Sequence, residues 1–154
     1  MKIAVLLPYK ENFSPDYPGS VSIFLKNTIK LSKFKNYVNI YGYTNFKKKI
    51  SKNYVNLNFE RKIYLSTTKQ YLSKFIKKTC NKNIKILEIH NRPLYAKYLL
   101  KYYENIVLYY HNDPTSQKGS KKISDRMYLV ENLKFIIFNS NWTKKKFLTN
   151  LKLP

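Results

Sequence analysis

Residues Glu104–Pro114 form the stretch that decides the fold, ENIVLYYHNDP. Within it, Ile106–Tyr110 is a continuous run of β-branched, aliphatic and aromatic residues, which is typical of a strand covered on both faces. The polar group His111–Pro114 follows directly and ends the strand. In open parallel sheets, ligands bind outside the carboxyl ends of the strands. The stretch therefore predicts a buried strand that leads into a loop where chemistry can take place.

Segments of the same kind recur along the chain and alternate with helical patterns. Further strands are predicted at residues 2–7, 37–43, 54–59, 84–89 and 134–138. Apolar residues at helical spacing predict helices that begin near Ser20, Thr67, Pro93, Ile123 and Ser140. Residues 54–59 alternate polar with apolar side chains, which favours a position near a sheet edge. The pattern predicts an α/β fold, a Rossmann-like, doubly wound and mostly parallel sheet of about six strands with helices on both faces.

Composition limits the classes of function. The chain has 154 residues, of which 30 are basic and 8 are acidic, and its formal net charge is +22. Such a charge favours polyanionic partners. An abundance of Lys, Asn, Ile and Tyr is also what an AT-rich coding bias produces, and we take that bias as the main cause of the charge. The length indicates a single domain over residues 1–154.

The cysteine count and the opening segment indicate the compartment. Cys80 is the single cysteine, so no internal disulfide can form, and a reducing compartment fits. The opening MKIAVLLPYK is not typical of a signal peptide, because its apolar run is short and Pro8 interrupts it. No run approaches the ~18 apolar residues of a membrane span. The expected location is cytoplasmic, with peripheral attachment to the inner face of a membrane left open.

Polar clusters follow several predicted strands and contain the candidate ligand-binding residues. Gly19 and Ser20 end the loop after the first strand, and Ser20 is the predicted N-cap of the next helix. Backbone N–H groups at such a helix start can hold an anion or a sugar hydroxyl. His90 and Arg92 follow the fourth strand, and an arginine there can contact a phosphate or carboxylate bidentately. In a parallel sheet these clusters share one edge, so they are expected to line one crevice.

The loop with His111, Asn112 and Asp113 is the centre of this prediction. A neutral imidazole at a strand end can donate or accept one hydrogen bond with a sugar hydroxyl or phosphate. Two alternatives stay open, because His111 can satisfy its own loop and Asp113 can cap the turn before Pro114. No metal site is predicted, since zinc needs three or four coordinated ligands. HExxH, CxxC and GxSxG are absent from the sequence, which gives protease, zinc-finger and α/β-hydrolase functions no support.

Together these motifs resemble the amino-terminal, acceptor-side domain of retaining glycosyltransferases of the GT-B fold, in the large family-four group. A strand and a Pro/Gly loop precede a helix in IAVLLPY…YPGSVSIF, two strands end in histidine motifs in LEIHNRP and LYYHNDP, and a last strand runs into FIIFNSNWTKKKF. The resemblance covers essentially the whole chain. The order and spacing of the motifs carry it, rather than any single motif.

The resemblance implies roles for the candidate residues. His111 matches the strand-end histidine that faces the transferred sugar, and it is the implied catalytic residue. The turn at Asn139 and Ser140 matches a structural turn at the end of the half-domain. Many members have two adjacent glycines where this chain has Gly19 alone. The implied substrate-binding residues are Gly19, Ser20, His90, Arg92, Asn112 and Asp113.

The resemblance also implies partners. Family members carry a second Rossmann-like domain that binds most of the nucleotide-sugar, and its basic and glutamate residues have no counterpart in this sequence. The chain is expected to be the acceptor-binding half of an enzyme that transfers a sugar, with retention, to a glycan, lipid or small-molecule acceptor. Alone it is expected to be inactive, because transfer needs both substrates in a closed cleft. The nucleotide-sugar is a co-substrate, and neither a cofactor nor a metal is expected.

The alternative is a basic module that binds nucleic acid or an anionic membrane without catalysis. Tyrosines interleaved with lysines can support base stacking and phosphate contacts. Nucleic acid is the weaker partner, because the tyrosines fall in strands and on apolar helix faces, where core packing explains them. The position of the lysines discriminates between these functions. Lysines scattered over all helices favour composition bias, and a continuous basic stripe favours nucleic acid.

Overall fold

The computed structural model describes residues 2–151, and this part of the chain contains six strands and five α-helices. The strands are β1 (Ile3–Leu6), β2 (Val38–Gly42), β3 (Tyr54–Asn56), β4 (Ile86–His90), β5 (Ile106–Tyr110) and β6 (Phe135–Phe138). The α-helices are α1 (Ser20–Leu31), α2 (Thr67–Thr79), α3 (Pro93–Leu99), α4 (Ile123–Asn132) and α5 (Asn141–Leu148). Short 3-10 turns cover Lys35–Tyr37 and Pro114–Ser116.

The strands form one parallel sheet in the order β3-β2-β1-β4-β5-β6. From β1 the chain first adds β2 and β3 on one side and later β4, β5 and β6 on the other, which is the strand order of a doubly wound sheet. The predicted fold class, a Rossmann-like α/β sheet, is confirmed. β3 lies at an edge, as the alternating pattern of residues 54–59 predicts, and β6 lies at the opposite edge.

The chain divides into two compact units after Ile86, inside β4. In the first unit, apolar side chains fill both faces of the strands. Val5 of β1 and Leu25 of α1 belong to one buried cluster. On the opposite face, Tyr41 of β2 packs edge-on against Phe75 of α2, with ring centroids 5.2 Å apart. α1 and α2 therefore cover opposite faces of the same strands.

The second unit has an apolar face and a face with polar side chains. The rings of Tyr110 and Phe138 stack at 5.8 Å on neighbouring strands, and Phe147 of α5 packs against both. Because side chains alternate along a strand, the opposite face carries Tyr109 and its cross-strand partner His90. Phe147, which the sequence places on the apolar face of the last helix, belongs to the core, at 1% exposure.

The largest differences from the predicted boundaries occur in three elements. β4 begins at Ile86 and includes His90, since His90 pairs with Tyr109 in the ladder. β3 ends at Asn56, because residues 57–59 leave the ladder after Leu57 donates to the Gly42 carbonyl. α5 ends at Leu148, whereas the sequence pattern predicts a helix that carries Leu151 and ends at Leu153 and Pro154, which lie outside the described residues. Over residues 2–151, no helix has both the length and the apolar character that crossing a membrane requires.

Candidate functional site

The two strand-end histidines lie in contact. β4 and β5 are hydrogen-bonded neighbours, and their register places His90 opposite Tyr109, two residues before His111. His90 Nδ1 lies 2.8 Å from His111 Nε2. The three rings of His90, Tyr109 and His111 are nearly parallel, with interplanar angles of 17° to 21° and centroids 4.5 to 5.4 Å apart. The structure thus brings the two histidine motifs together, as neighbouring parallel strands predict.

Glu88 extends this pair into a chain of three side chains. Its Oε1 atom lies 2.7 Å from His90 Nε2, so both ring nitrogens of His90 have partners. The His90 side chain is completely buried, and that of Glu88 is 28% exposed. His90, predicted to line the acceptor side, is therefore buried between Glu88 and His111 and has no exposed side-chain surface of its own.

The ring of His111 is neutral at neutral pH. Burial and, to a smaller extent, the nearby His90 lower the pKa of His111, the Glu88 carboxylate acts in the opposite direction, and the net result is a shift from 6.5 to about 4. The residue as a whole is partly buried. Burial, and then the charge of Glu88, raise the pKa of the Tyr109 hydroxyl. His111 and Tyr109 consequently offer an uncharged imidazole and an uncharged phenol near the Glu88 carboxylate.

Asn91 holds the loop that carries His111. Its backbone has a φ of 50°, in the left-handed region that Asn tolerates better than most residues. Its buried Oδ1 accepts hydrogen bonds from the backbone N–H of His111 at 2.7 Å and of Asn112 at 3.3 Å. Asn139, the residue that follows β6, donates from Nδ2 to the His111 carbonyl at 2.9 Å. The backbone at His111 is therefore fixed on both sides.

Asp113 and Arg92 have local partners within the same unit. Asp113 Oδ1 accepts from the backbone N–H and the hydroxyl of Thr115, at 2.8 and 2.7 Å, and so caps the 3-10 turn. These hydrogen bonds, the hydroxyl's first, lower the pKa of Asp113, and Lys146 adds to the effect. Arg92 is exposed and donates to the Asn91 carbonyl at 2.8 Å. Of the two roles considered for Asp113, the structure shows the cap.

The Gly19 loop belongs to the first unit and has its own arrangement. The prediction that Ser20 is the N-cap of α1 is wrong by one residue: Gly19 is the N-cap, because its carbonyl accepts the first helical bond from Ile23. Glu11 Oε1 accepts from the backbone N–H of Ser22 at 3.0 Å. A Cβ built on Gly19 would lie 2.0 Å from that oxygen. A carboxylate of the chain itself thus lies at the helix N-terminus where an anion would otherwise bind.

Sequence reasoning missed Glu88, Asn91 and Tyr109 as parts of the site. A signal for Glu88 was present, because a charged residue inside an apolar strand, two residues before a histidine, shares a face with it. Tyr109 gave none, because aromatic residues are ordinary in strands. In the part of the chain that the structure describes, no group of three or more His, Cys, Asp or Glu side chains could hold a metal ion.

No protein-family model matches this chain, and no curated protein or solved structure matches it. The fold therefore defines its class, an α/β protein with a Rossmann-like, doubly wound parallel sheet.

Proposed function

We propose that this chain is the acceptor-binding half of a retaining GT-B-type glycosyltransferase, acting with a second Rossmann-like domain that binds most of the nucleotide-sugar. The observation that supports this function best is the cluster of His90, Tyr109 and His111 at the carboxyl ends of β4 and β5. Ligands of open α/β sheets bind at that end of the strands. Nearly parallel rings that include a neutral, partly buried imidazole suit a sugar, whose C–H face packs on rings and whose hydroxyls need hydrogen-bond partners.

The proposed roles differ between the two units. In the second unit, His111 contacts the sugar, the exposed Asn112 lies beside it, and the exposed guanidinium of Arg92 can meet a phosphate. In the first unit, the Glu11 carboxylate at Gly19 disfavours a phosphate. A ligand hydroxyl that donates to this carboxylate suits the Gly19 loop better. We therefore propose that Gly19 and Ser20 take part in acceptor binding rather than phosphate binding.

The arrangement of charge gives the basic-module alternative little support. Exposed lysines occur on several helices of both units and in the loop before α4. They include Lys26, Lys30, Lys69, Lys77, Lys78, Lys118, Lys121, Lys122, Lys144, Lys145 and Lys146. Exposed lysines thus occur on α1, α2 and α5, three of the five described helices, which meets the criterion for composition bias in part, and net charge alone says nothing about fold.

Sugar binding can be tested with the chain as it is. Saturation-transfer NMR would be recorded with methyl α-glucoside, methyl α-mannoside, UDP-glucose and GDP-mannose as probes. We expect contacts between protein and sugar ring protons, and we expect His111→Ala to abolish them. Glu131→Gln, which changes an exposed residue of α4, is the matched control and should leave them unchanged.

The same samples test the alternative. Single-stranded DNA would be titrated over a series of salt concentrations. If the chain shows no sugar contact with any probe but binds DNA with an affinity that falls steeply with salt, the glycosyltransferase proposal fails. The polyanion module then replaces it.

A further inference from the structure

Glu88, His90 and His111 form an uninterrupted hydrogen-bond chain within the second unit. The links measure 2.7 Å from Glu88 Oε1 to His90 Nε2 and 2.8 Å from His90 Nδ1 to His111 Nε2. The middle member is fully buried, and both ends are partly exposed. A buried imidazole whose two nitrogens both take part in hydrogen bonds can couple the protonation state of the group on one side to that of the group on the other side.

The direction of each link follows from the carboxylate. A carboxyl group is ordinarily ionised at neutral pH and then only accepts hydrogen bonds. His90 must therefore donate from Nε2, and in its neutral form its Nδ1 is an acceptor. His111 must then donate from Nε2 to His90, which leaves the lone pair of a neutral His111 on Nδ1. If Nε2 of His111 accepts instead and its Nδ1 carries the proton, His90 has to be an imidazolium that donates from both nitrogens.

We propose that Glu88 and His90 are positioning residues that hold His111 in the tautomer with a protonated Nε2 and an acceptor Nδ1. A ligand that reaches the ring must then donate a hydrogen bond to it. A neutral hydroxyl can do so, whereas an ionised phosphate or carboxylate oxygen only accepts. The identification of this hydroxyl as part of a sugar rests on the proposed function, whereas the inferred tautomer of His111 does not depend on that function.

The surroundings of the ring support a fixed tautomer. The backbone of His111 is held by Asn91 Oδ1 and Asn139 Nδ2, which fixes the point from which the ring extends towards His90. Tyr109 stacks on His111 with ring centroids 4.5 Å apart. The titratable groups at the ring are His90 and Glu88 from β4, and Tyr109 from β5. The Glu88 carboxylate also makes the site unfavourable for an anionic ligand.

Nitrogen-15 NMR can read the tautomers directly. The sequence contains two histidines, so a long-range proton–nitrogen spectrum of the full chain contains two imidazole systems. His111→Asn would assign them. At pH 7 we expect a protonated Nε2 and an unprotonated Nδ1 for both rings. A protonated Nδ1 on His111 in the unmodified protein would overturn the proposal, and this measurement needs no variant beyond the assignment.

A substitution at Glu88, the end of the hydrogen-bond chain that is remote from His111, tests the positioning role. Glu88→Gln keeps the size and an acceptor oxygen, but it also supplies donors and removes the charge. We expect a second tautomer of His111 to become populated, seen as a shift of its Nδ1 signal towards the protonated position. Glu131→Gln should produce no shift. If the Glu88→Gln protein folds and keeps the tautomer of the unmodified protein, Glu88 has no positioning role.

Two probes separate this inference from the proposed function. Methyl α-glucoside is the neutral hydroxyl probe, and inorganic phosphate is the anionic probe. We expect the glucoside to shift the His111 Nδ1 signal and phosphate to leave it in place. If the expected tautomer is present and the glucoside has no effect, the sugar-binding function fails, while the inference that Glu88 and His90 fix the tautomer of His111 is kept. A larger shift with phosphate than with the glucoside would contradict the ligand selectivity.

Discussion

Two loops of this protein follow buried parallel strands and yet present different chemistry. The loop after β1 ends at the N-terminus of α1, and there the chain places its own Glu11 carboxylate on the Ser22 N–H. The loop after β5 presents the ring of His111, which is half-buried and neutral at neutral pH. Both loops occupy the position where ligands of α/β sheets bind. The two loops therefore differ in what they place at a strand end, a carboxylate at a helix N-terminus in one and a neutral imidazole in the other.

The largest expected effect comes from replacing Asn91, the buried residue that supports the His111 loop, and it contrasts with replacement of the exposed Asn112. Asn91→Ala removes an acceptor from the N–H groups of His111 and Asn112 and puts alanine at a φ of 50°. We expect a loss of about 2–3 kcal/mol in the free energy of unfolding, measured by urea denaturation. Asn91→Gly should cost less, because glycine tolerates the backbone conformation and only the hydrogen bonds are lost.

The control for this prediction lies in the same loop. Asn112 is exposed, so Asn112→Ala should change stability by no more than about 0.5 kcal/mol. If Asn91→Ala and Asn112→Ala were equally stable, the hydrogen bonds to Asn91 Oδ1 would not hold the loop. The contrast between a buried asparagine that supports the loop and an exposed one would then disappear.

An intermediate effect tests whether the loop after β1 provides, through Glu11, the hydrogen-bond acceptor for the Ser22 N–H at the start of α1. Gly19→Ala would place a methyl group on the Glu11 carboxylate and displace it from the Ser22 N–H. Since the backbone of Gly19 is extended, with a φ of −75°, the substitution causes no backbone strain. We expect a loss of about 1 kcal/mol in urea denaturation, the usual contribution of one N-terminal cap.

A double-mutant cycle isolates that contact. Glu11→Ala removes the same hydrogen bond, so it should cost about as much as Gly19→Ala, and the double variant should cost little more than either. Additive effects would show that the two residues act separately. The loop would then be less closed on itself than the distances indicate.

The fold could be predicted because it depends on local patterns. The run Ile106–Tyr110 and its counterparts are recognisable by composition alone, and alternating strands and helices imply a parallel sheet. The histidine motifs could be paired because they end successive strands. Their direct contact could not be foreseen, since it depends on a register that places His90 opposite Tyr109.

The partners of irregular segments were beyond sequence reasoning for a physical reason. Glu11 reaches Ser22 only because the loop between them folds back, and no periodicity describes that course. Arg126 gives the same lesson. It is 3% exposed, on a helix where arginine is ordinarily solvated, and its guanidinium donates to the carbonyls of Ser120, Lys121, Phe147 and Thr149.

The smallest expected effect concerns the charge of the His111 ring. The pKa of His111 is about 4 in the folded protein and ordinarily 6.5, so between these values the unfolded chain binds more protons. The contribution of His111 to stability is therefore complete above pH 6.5 and is lost as the pH falls towards 4. His111→Asn should reduce the slope of the unfolding free energy against pH in this window, as measured by urea denaturation.

Asp113 does not confound this test, although its pKa is also lowered. Its ordinary value is 3.8, so its contribution is lost at lower pH than that of His111. The change of slope should be modest, because solvent screens a half-exposed ring. An equal slope in the unmodified protein and in His111→Asn would mean that the ring of His111 titrates in the folded state as it does in the unfolded chain. The His111 ring would then be protonated in the lower part of the range from pH 6.5 to about 4, and the neutral imidazole that distinguishes this loop from the Glu11 loop would be lost there.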